Sequence, residues 1–317
     1  MKKFFAGALA AVMTVSLAAC GSSSTTETTT AAAETSAEAA ESTEAAASGD
    51  IKTVEEGKLT VATSPDFAPY EFYAIDKDGQ PQLAGFDMDL AQYIADYLGL
   101  ELEVIPMDFD GTIMELSQGN VDLGMAGYSP SEDRKEVMDF SDIYISGGQS
   151  FVCRQDNKDK FATLEDTNKS DYTFGAQVGS IQAGLAKENS PEADILEMAK
   201  VTDIIADLLA GKMDGAYIET MVAESYAKSY PELCVALDVP FDAVGSVVGI
   251  NKGNEALVKG VNEAIAACKE SGEFDKYVVK ANELASGDII EGLVDDAATA
   301  ETEAGAETEA ESESAAQ

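Results

Sequence analysis

Apolar and polar residues alternate along Lys58-Leu59-Thr60-Val61-Ala62-Thr63, the period of a strand with one buried face. From Phe86 to Leu98 the period lengthens. Leu90, Ile94 and Leu98 share one helical face, with Ala91 and Ala95 beside them. Asp87 is the expected N-cap of that helix, and Asp89 suits its positive end. Alternation returns over 101–105, a short helix is predicted over 111–118, and a strand over 121–126. The rhythm resumes with a strand over 172–177, helices over 180–188 and 202–211, a strand over 213–218 and a helix over 219–228. A long helix over 254–270 aligns Leu257, Val261, Ile265 and Cys268. Strands that alternate with helices predict α/β lobes with mostly parallel sheets, and ligands in such folds bind outside the carboxyl ends of the strands.

The ends read differently. Lys2 and Lys3 precede an apolar run from Phe4 to Leu17, which finishes Leu17-Ala18-Ala19-Cys20-Gly21. A positive start and a short apolar core predict a signal peptide over 1–19. Small residues before a cysteine resemble the lipobox of bacterial lipoproteins, which implies that Cys20 is diacylated and becomes the mature N-terminus. Two acyl chains anchor stably where one does not. Ser, Thr, Ala and Glu dominate the residues after it, so 20–50 is expected to be a disordered tether reaching ~30 Å as a coil. The same composition predicts an acidic disordered tail over 296–317.

Composition removes whole classes of chemistry. The 317 residues contain no His, which rules out Ser-His-Asp and Cys-His catalysis and every His-containing metal site. Asp and Glu number 59 against 20 Lys and Arg, a net charge of −39, and nucleic-acid binding needs a basic face. Residues 21–50 and 297–317 carry six acids each and no base, so the core is acidic in its own right, read here as solubility. Beyond Cys20 the cysteines are Cys153, Cys234 and Cys268. Cys153 lies in an apolar strand-like run and Cys268 in a helical one, and buried free thiols are favoured over a disulfide. No cysteine spacing suggests a metal or redox motif, and no Gly-x-x-x-x-Gly-Lys-Ser/Thr run is present. No cofactor or metal is expected.

The run Gly85-Phe86-Asp87-Met88-Asp89-Leu90, followed by Ile94, Ala95 and Leu98, resembles the signature of the family 3 solute-binding proteins, the polar amino-acid receptors of ABC importers. Thr63-Ser64-Pro65-Asp66-Phe67-Ala68-Pro69-Tyr70-Glu71-Phe72 is similar to the first pocket loop of that family, Met107-Asp108-Phe109-Asp110-Gly111 to the second, and Ala126 through Lys135 to the third. Phe140-Ser141-Asp142 precedes the expected first crossing between lobes. The resemblance spans about 52–285. It implies the two-lobed α/β fold of periplasmic binding proteins (type II), with two hinge strands and the ligand in the cleft. Lobe one would comprise 51–145 completed by 246–295, and lobe two 146–245.

A free amino acid carries a carboxylate, an ammonium and a side chain. The planar guanidinium of Arg134 can bind two carboxylate oxygens in parallel. Ser129 adds a hydroxyl and an N–H beside it, and Gly127, next to Ala126, lets a ligand approach the backbone. Gly179 and Ser180 open a helix whose free N–H groups attract anions. Glu219 stands where the family usually has an Asp that binds the ammonium, one methylene longer. Phe67 and Phe109 match the aromatic pair that flanks the ligand side chain. Ser64 stands where several relatives for basic or amide ligands carry an Asp. Asp66 could substitute for it but is expected to face solvent, while Tyr70 and Phe72 are expected in the core. These roles imply a neutral polar amino acid first, a basic one second and an acidic one last.

The implied function is capture by cleft closure and delivery to a membrane permease driven by a cytoplasmic ATPase. The receptor would be a monomer, lipid-anchored at the outer face of the bacterial cytoplasmic membrane, and not an enzyme. Two rivals are a prephenate- or arogenate-type dehydratase, with Glu219 as general acid, and a sensor or host-interaction lipoprotein that binds without transport.

Overall fold

The computed structural model describes residues 51–243 and 245–286. The signal peptide, Cys20, the tether and the acidic tail expected from the sequence lie outside the described residues.

One five-stranded sheet has the order β5-β1-β6-β13-β7, where β1 is Lys58–Thr63, β5 Glu101–Pro106, β6 Leu123–Gly124, β7 Met138–Phe140 and β13 Gly249–Asn251. The second has the order β10-β9-β11-β8-β12, from β8 (Gln149–Arg154), β9 (Thr173–Gln177), β10 (Asp194–Met198), β11 (Gly215–Glu219) and β12 (Leu233–Val239). A three-stranded sheet joins β2 (Asp66–Phe67), β3 (Glu71–Ile75) and β4 (Pro81–Ala84) beside the first. Helices α1 (Phe86–Leu98), α2 (Phe109–Gln118), α3 (Glu132–Lys135), α7 (Glu255–Glu270) and α8 (Glu273–Ala285) flank sheet one or its loops. Helices α4 (Ile181–Asn189), α5 (Val201–Leu209) and α6 (Thr220–Ser229) belong with sheet two. The molecule is a two-domain α/β fold of the periplasmic-binding-protein architecture. Among the described residues no helix is long and apolar enough to cross a membrane.

The sheets are mixed rather than mostly parallel. β1 pairs in parallel with β5 and β6, but β13 runs antiparallel to β6 and β7. In the same way β9 is parallel to β10 and β11, while β8 is antiparallel to β11 and β12. β8 and β13 each enter their sheet from an interlobe crossing instead of a βα crossover, so their direction is free. The two crossings bond to each other: the Tyr144 N–H donates to the Ser246 carbonyl at 3.0 Å, and the Ser246 N–H to the Ile145 carbonyl at 2.8 Å.

Helix α1 shows how sequence and packing combine. Leu90, Ile94 and Leu98 are buried as their spacing demands. Its N-cap is Gly85, not Asp87. Gly85 has φ +123°, and a Cβ there would lie 2.0 Å from the Tyr70 carbonyl oxygen, so only glycine fits. The Asp87 N–H donates to that carbonyl at 2.9 Å. This turns the Asp87 side chain inward, where it accepts the Gly127 N–H at 3.2 Å instead of capping its own helix.

Candidate functional site

Every residue singled out for ligand contact lies at or just beyond the carboxyl end of a strand in one sheet or the other, or on the loop that follows it. Ser64 and Phe67 follow β1, Phe109 follows β5, and Ala126, Gly127, Ser129 and Arg134 follow β6. Gly179 and Ser180 follow β9, and Glu219 ends β11. The two sets meet across the cleft.

Arg134 is 8% exposed, held on α3 behind its N-cap Ser131. Its guanidinium donates to the Ser129 carbonyl at 2.9 Å and, from the other sheet, to the Gly179 carbonyl at 3.2 Å. Phe109 and Tyr128 lie 5.4 and 5.5 Å from the guanidinium carbon, a cation–π clamp on both rings. Two of five donors are thus used, and the rest stay available to an anion. Burial lowers its pKa. Ser129 holds Arg134 through its carbonyl, a contact distinct from the hydroxyl and N–H expected to meet a ligand carboxylate. Ser180 is the N-cap of α4, its hydroxyl oxygen accepting the Ala183 N–H at 3.2 Å. A mouth of about 460 Å³ opens here, lined by Arg134, Gly179, Ser180, Ile181 and Phe241 among others.

Glu219 is 2% exposed and caps α6, with Oε2 accepting the Val222 N–H at 3.0 Å. Its Oε1 has no hydrogen-bond partner and faces Gly147 of the first crossing, where a Cβ would lie 2.7 Å away. Burial pushes its carboxyl up to about 7, against the pull of the Val222, Met221 and Gly148 N–H groups and the Tyr70 hydroxyl. A second opening of about 540 Å³ lies beside it, lined by Gly147, Gly148, Glu219 and Phe241 among others.

Phe67 packs 5.5 Å from Tyr70 and lies against Gly127, where φ is +58° and a Cβ would come 2.7 Å from its ring. Phe109 meets Tyr128 edge-on at 5.6 Å, and Ala126 is buried in the same cluster beneath them.

Asp66 corrects the expectation that it faces solvent: it is 4% exposed. The Ser64 hydroxyl donates to Oδ1 at 2.8 Å, and from the opposite sheet the Gln177 amide donates to Oδ2 at 3.0 Å. The Val201 N–H donates to the same oxygen. The carboxylate therefore rests against Ser64 itself. Burial raises its pKa to about 6, opposed by those three donors. Tyr70, expected in the core, is fully buried but turns its hydroxyl to Ser246 of the second crossing at 3.2 Å and toward Glu219. Sequence reasoning missed Gln177 as well. The available signal was the short separation: Ser64 and Asp66 flank Pro65 in a tight turn, with the Asp66 N–H donating to the Ser64 carbonyl at 2.8 Å.

Behind Gly127 lies an acid pair in the interior. Glu71 and Asp87 are fully buried, and the Glu71 carboxyl is held well above the usual range by burial and by the charge of Asp87. Asp87 is pushed up to about 6 by burial, against the Tyr144 hydroxyl and the Gly127 N–H. Among the described residues no group of three or more His, Cys, Asp and Glu could hold a metal ion.

The model of the "Bacterial extracellular solute-binding proteins, family 3" matches residues 59–281. The arginine-binding extracellular protein ArtP of Bacillus subtilis is 32% identical over 284 residues, 88% of this chain and 98% of that protein. Cyclohexadienyl dehydratase of Pseudomonas aeruginosa is 28% identical, over 70% of this chain and 81% of that protein. The crystal structure of the amino acid ABC transporter substrate-binding protein AbpA from Streptococcus pneumoniae, bound to L-arginine, superposes with a TM-score of 0.70 at 32% identity, covering 74% of this chain and 98% of that one. With these matches over most of its length, the chain belongs to the family 3 bacterial extracellular solute-binding proteins.

Proposed function

We propose that this protein is the substrate-binding subunit of an amino-acid ABC importer and that its ligand is a basic L-amino acid, arginine before lysine. The observation that carries the reading is the charge balance of the cleft. The residues assigned to ligand contact, with Asp66 beside Ser64, include one buried guanidinium, Arg134, and two buried carboxyls, Asp66 and Glu219, while the buried Lys200 belongs to the start of α5. A zwitterion needs one cation and one anion from its host. The second acid is complementary to a further positive charge on the ligand side chain.

In this account Arg134 binds the ligand carboxylate, with Ser129 and the α4 start at Gly179 and Ser180 beside it. Glu219 binds the ammonium. Phe67 and Phe109 flank the aliphatic stem, and Asp66, resting on Ser64, accepts the cationic head. Ala126 and Gly127 form the floor. The sequence favours a neutral polar ligand because Ser64 stands where several relatives carry an Asp; the buried carboxylate of Asp66 beside Ser64 supports placing a basic ligand first. Ligands named for relatives support the same choice: ArtP is called arginine-binding, and AbpA was crystallised with L-arginine.

The lobes would comprise 51–145 with 246–295, and 146–245, closing on the ligand about the paired crossings. Differential affinity for the closed form drives that closure, and the closed face docks on a membrane permease. The chain acts as a monomer outside the cytoplasmic membrane, anchored through Cys20. A thermal-shift screen over the twenty amino acids tests the reading, because bound ligand stabilises by mass action. Arginine and lysine should give the largest shifts. A screen in which no amino acid shifts the transition would reject it, and turnover of prephenate or arogenate would favour the dehydratase instead.

A further inference from the structure

In sheet two β8 and β12 run antiparallel, and their register sets Cys153 directly opposite Cys234. Both thiols are free and buried in the core of that sheet. Their sulfurs lie 3.7 Å apart. Residues opposed across an antiparallel pair have Cα atoms about 4.5–5.5 Å apart, within the ~4.4–6.8 Å that a disulfide spans. A bond of ~2.05 Å therefore asks for side-chain rotation, not movement of the strands. The remaining buried thiol, Cys268, is on α7 against sheet one and does not compete for either partner.

We propose that Cys153 and Cys234 form a cross-strand disulfide, an oxidation site made while the chain folds in the presence of a small-molecule disulfide. One protein thiolate attacks the oxidant, a bond forms between them, and the first small thiolate leaves. The second protein thiolate then attacks the protein sulfur of that mixed disulfide and expels the other small thiolate. Two protein thiols are oxidised, one disulfide is reduced to two thiols, and the two protons pass to the leaving thiolates. Timing follows from burial. In the folded state burial, with the Cys234 thiol beside it, pushes the Cys153 thiol up to about 12, so the nucleophile is scarce there. The unfolded chain has no such barrier.

The consequence lies at the hinge. β8 receives the chain from the first crossing and β12 delivers it to the second. β12 is also an edge strand, with an irregular register between Val235 and Leu237. A bond at Cys153 would fix that edge and close a loop around most of the second lobe. This proposal does not depend on the ligand.

The test uses the full chain carrying Cys20→Ser, unfolded with reductant and refolded in oxidised and reduced glutathione or in reduced glutathione alone. Free thiols are then alkylated and the unreduced peptides mapped by mass. The expected result is a Cys153–Cys234 linked peptide after oxidative refolding, Cys268 alkylated, and a melting temperature about 5–10 °C above the reduced form. A Cys153→Ser variant should lose the link and the shift while Cys268→Ser keeps both. Three alkylated thiols after oxidative refolding, or a linkage through Cys268, would overturn the proposal.

Discussion

The carboxylate of Asp66, which follows a strand of the first sheet, accepts the backbone N–H of Val201, the first residue of α5 against the second. Helix α5 has no side-chain cap of its own, its N-cap being Lys200. Asp66 thus caps a helix across the cleft, and the Gln177 amide holds the same oxygen at 3.0 Å. An acid on a helix N-terminus is stabilised by the free N–H groups and the dipole. Here that stabilisation exists only when the two halves meet, so the residue assigned to the ligand's cationic head also reports closure.

Asp66→Asn should therefore erase charge selectivity. Hydrogen bonds to charged groups contribute ~1.5–3 kcal/mol, so arginine affinity should fall about 10- to 150-fold. Citrulline, the neutral isostere, should lose far less. Calorimetric titration of both ligands checks this, and an unchanged arginine-to-citrulline ratio would remove Asp66 from the side-chain pocket.

Arg134→Ala should abolish amino-acid binding while circular dichroism and a cooperative melt are retained. Near-normal affinity by calorimetry would reject the carboxylate assignment. Arg134→Lys should remain weak too, because an ammonium lacks the planar fork.

Glu219→Gln should weaken α-amino ligands more than their des-amino analogues. Equal loss for both classes would take Glu219 out of the ammonium role. Its free Oε1 beside Gly147 predicts a companion effect: Gly147→Ala, whose Cβ would lie 2.7 Å from that oxygen, should lower affinity without the same selectivity.

Affinity should rise with pH. Glu219 titrates near 7 against 4.5 unperturbed, and Asp66 near 6 against 3.8. Both bind a cation only when ionised, so binding of a basic amino acid releases protons, strengthens between about pH 5 and 7 and levels above. The unliganded fold has the opposite slope. A carboxyl with a raised pKa holds more protons folded than unfolded, so its contribution to stability declines as pH climbs from the unfolded to the folded value. Titrations from pH 5 to 8 in buffers of different ionisation enthalpy measure both the trend and the proton count. A flat profile would contradict the buried-acid account.

The fold was readable wherever periodicity was strong. β1 and α1 match the residues expected, and the long helix with Leu257, Val261, Ile265 and Cys268 buried on one face is α7. The strand expected over 121–126 is Leu123–Gly124, although the flanking Asp122 and Met125 N–H groups still donate to the Thr60 and Ala62 carbonyls of β1 at 3.1 and 2.9 Å. The small β2-β3-β4 sheet is not legible in the pattern, its strands being two to five residues long and interspersed with Pro65, Pro69 and Pro81. Neither are the antiparallel members, since direction is set by the interlobe crossings and not by local pattern. In the site, Arg134 and Glu219 are both buried, Arg134 in the loop region after β6 and Glu219 at the end of β11. Asp87 as a cap and Asp66 as a surface acid failed for one reason: both partners, Gly127 and Val201, are far away in sequence and brought near only by tertiary packing.

The most direct test is a crystal structure of the protein with L-arginine. The account predicts the ligand carboxylate on the Arg134 guanidinium, its ammonium on Glu219 and its guanidinium on Asp66, each within ~3.2 Å. Arginine bound with its head group away from Asp66, or outside the cleft altogether, would contradict it.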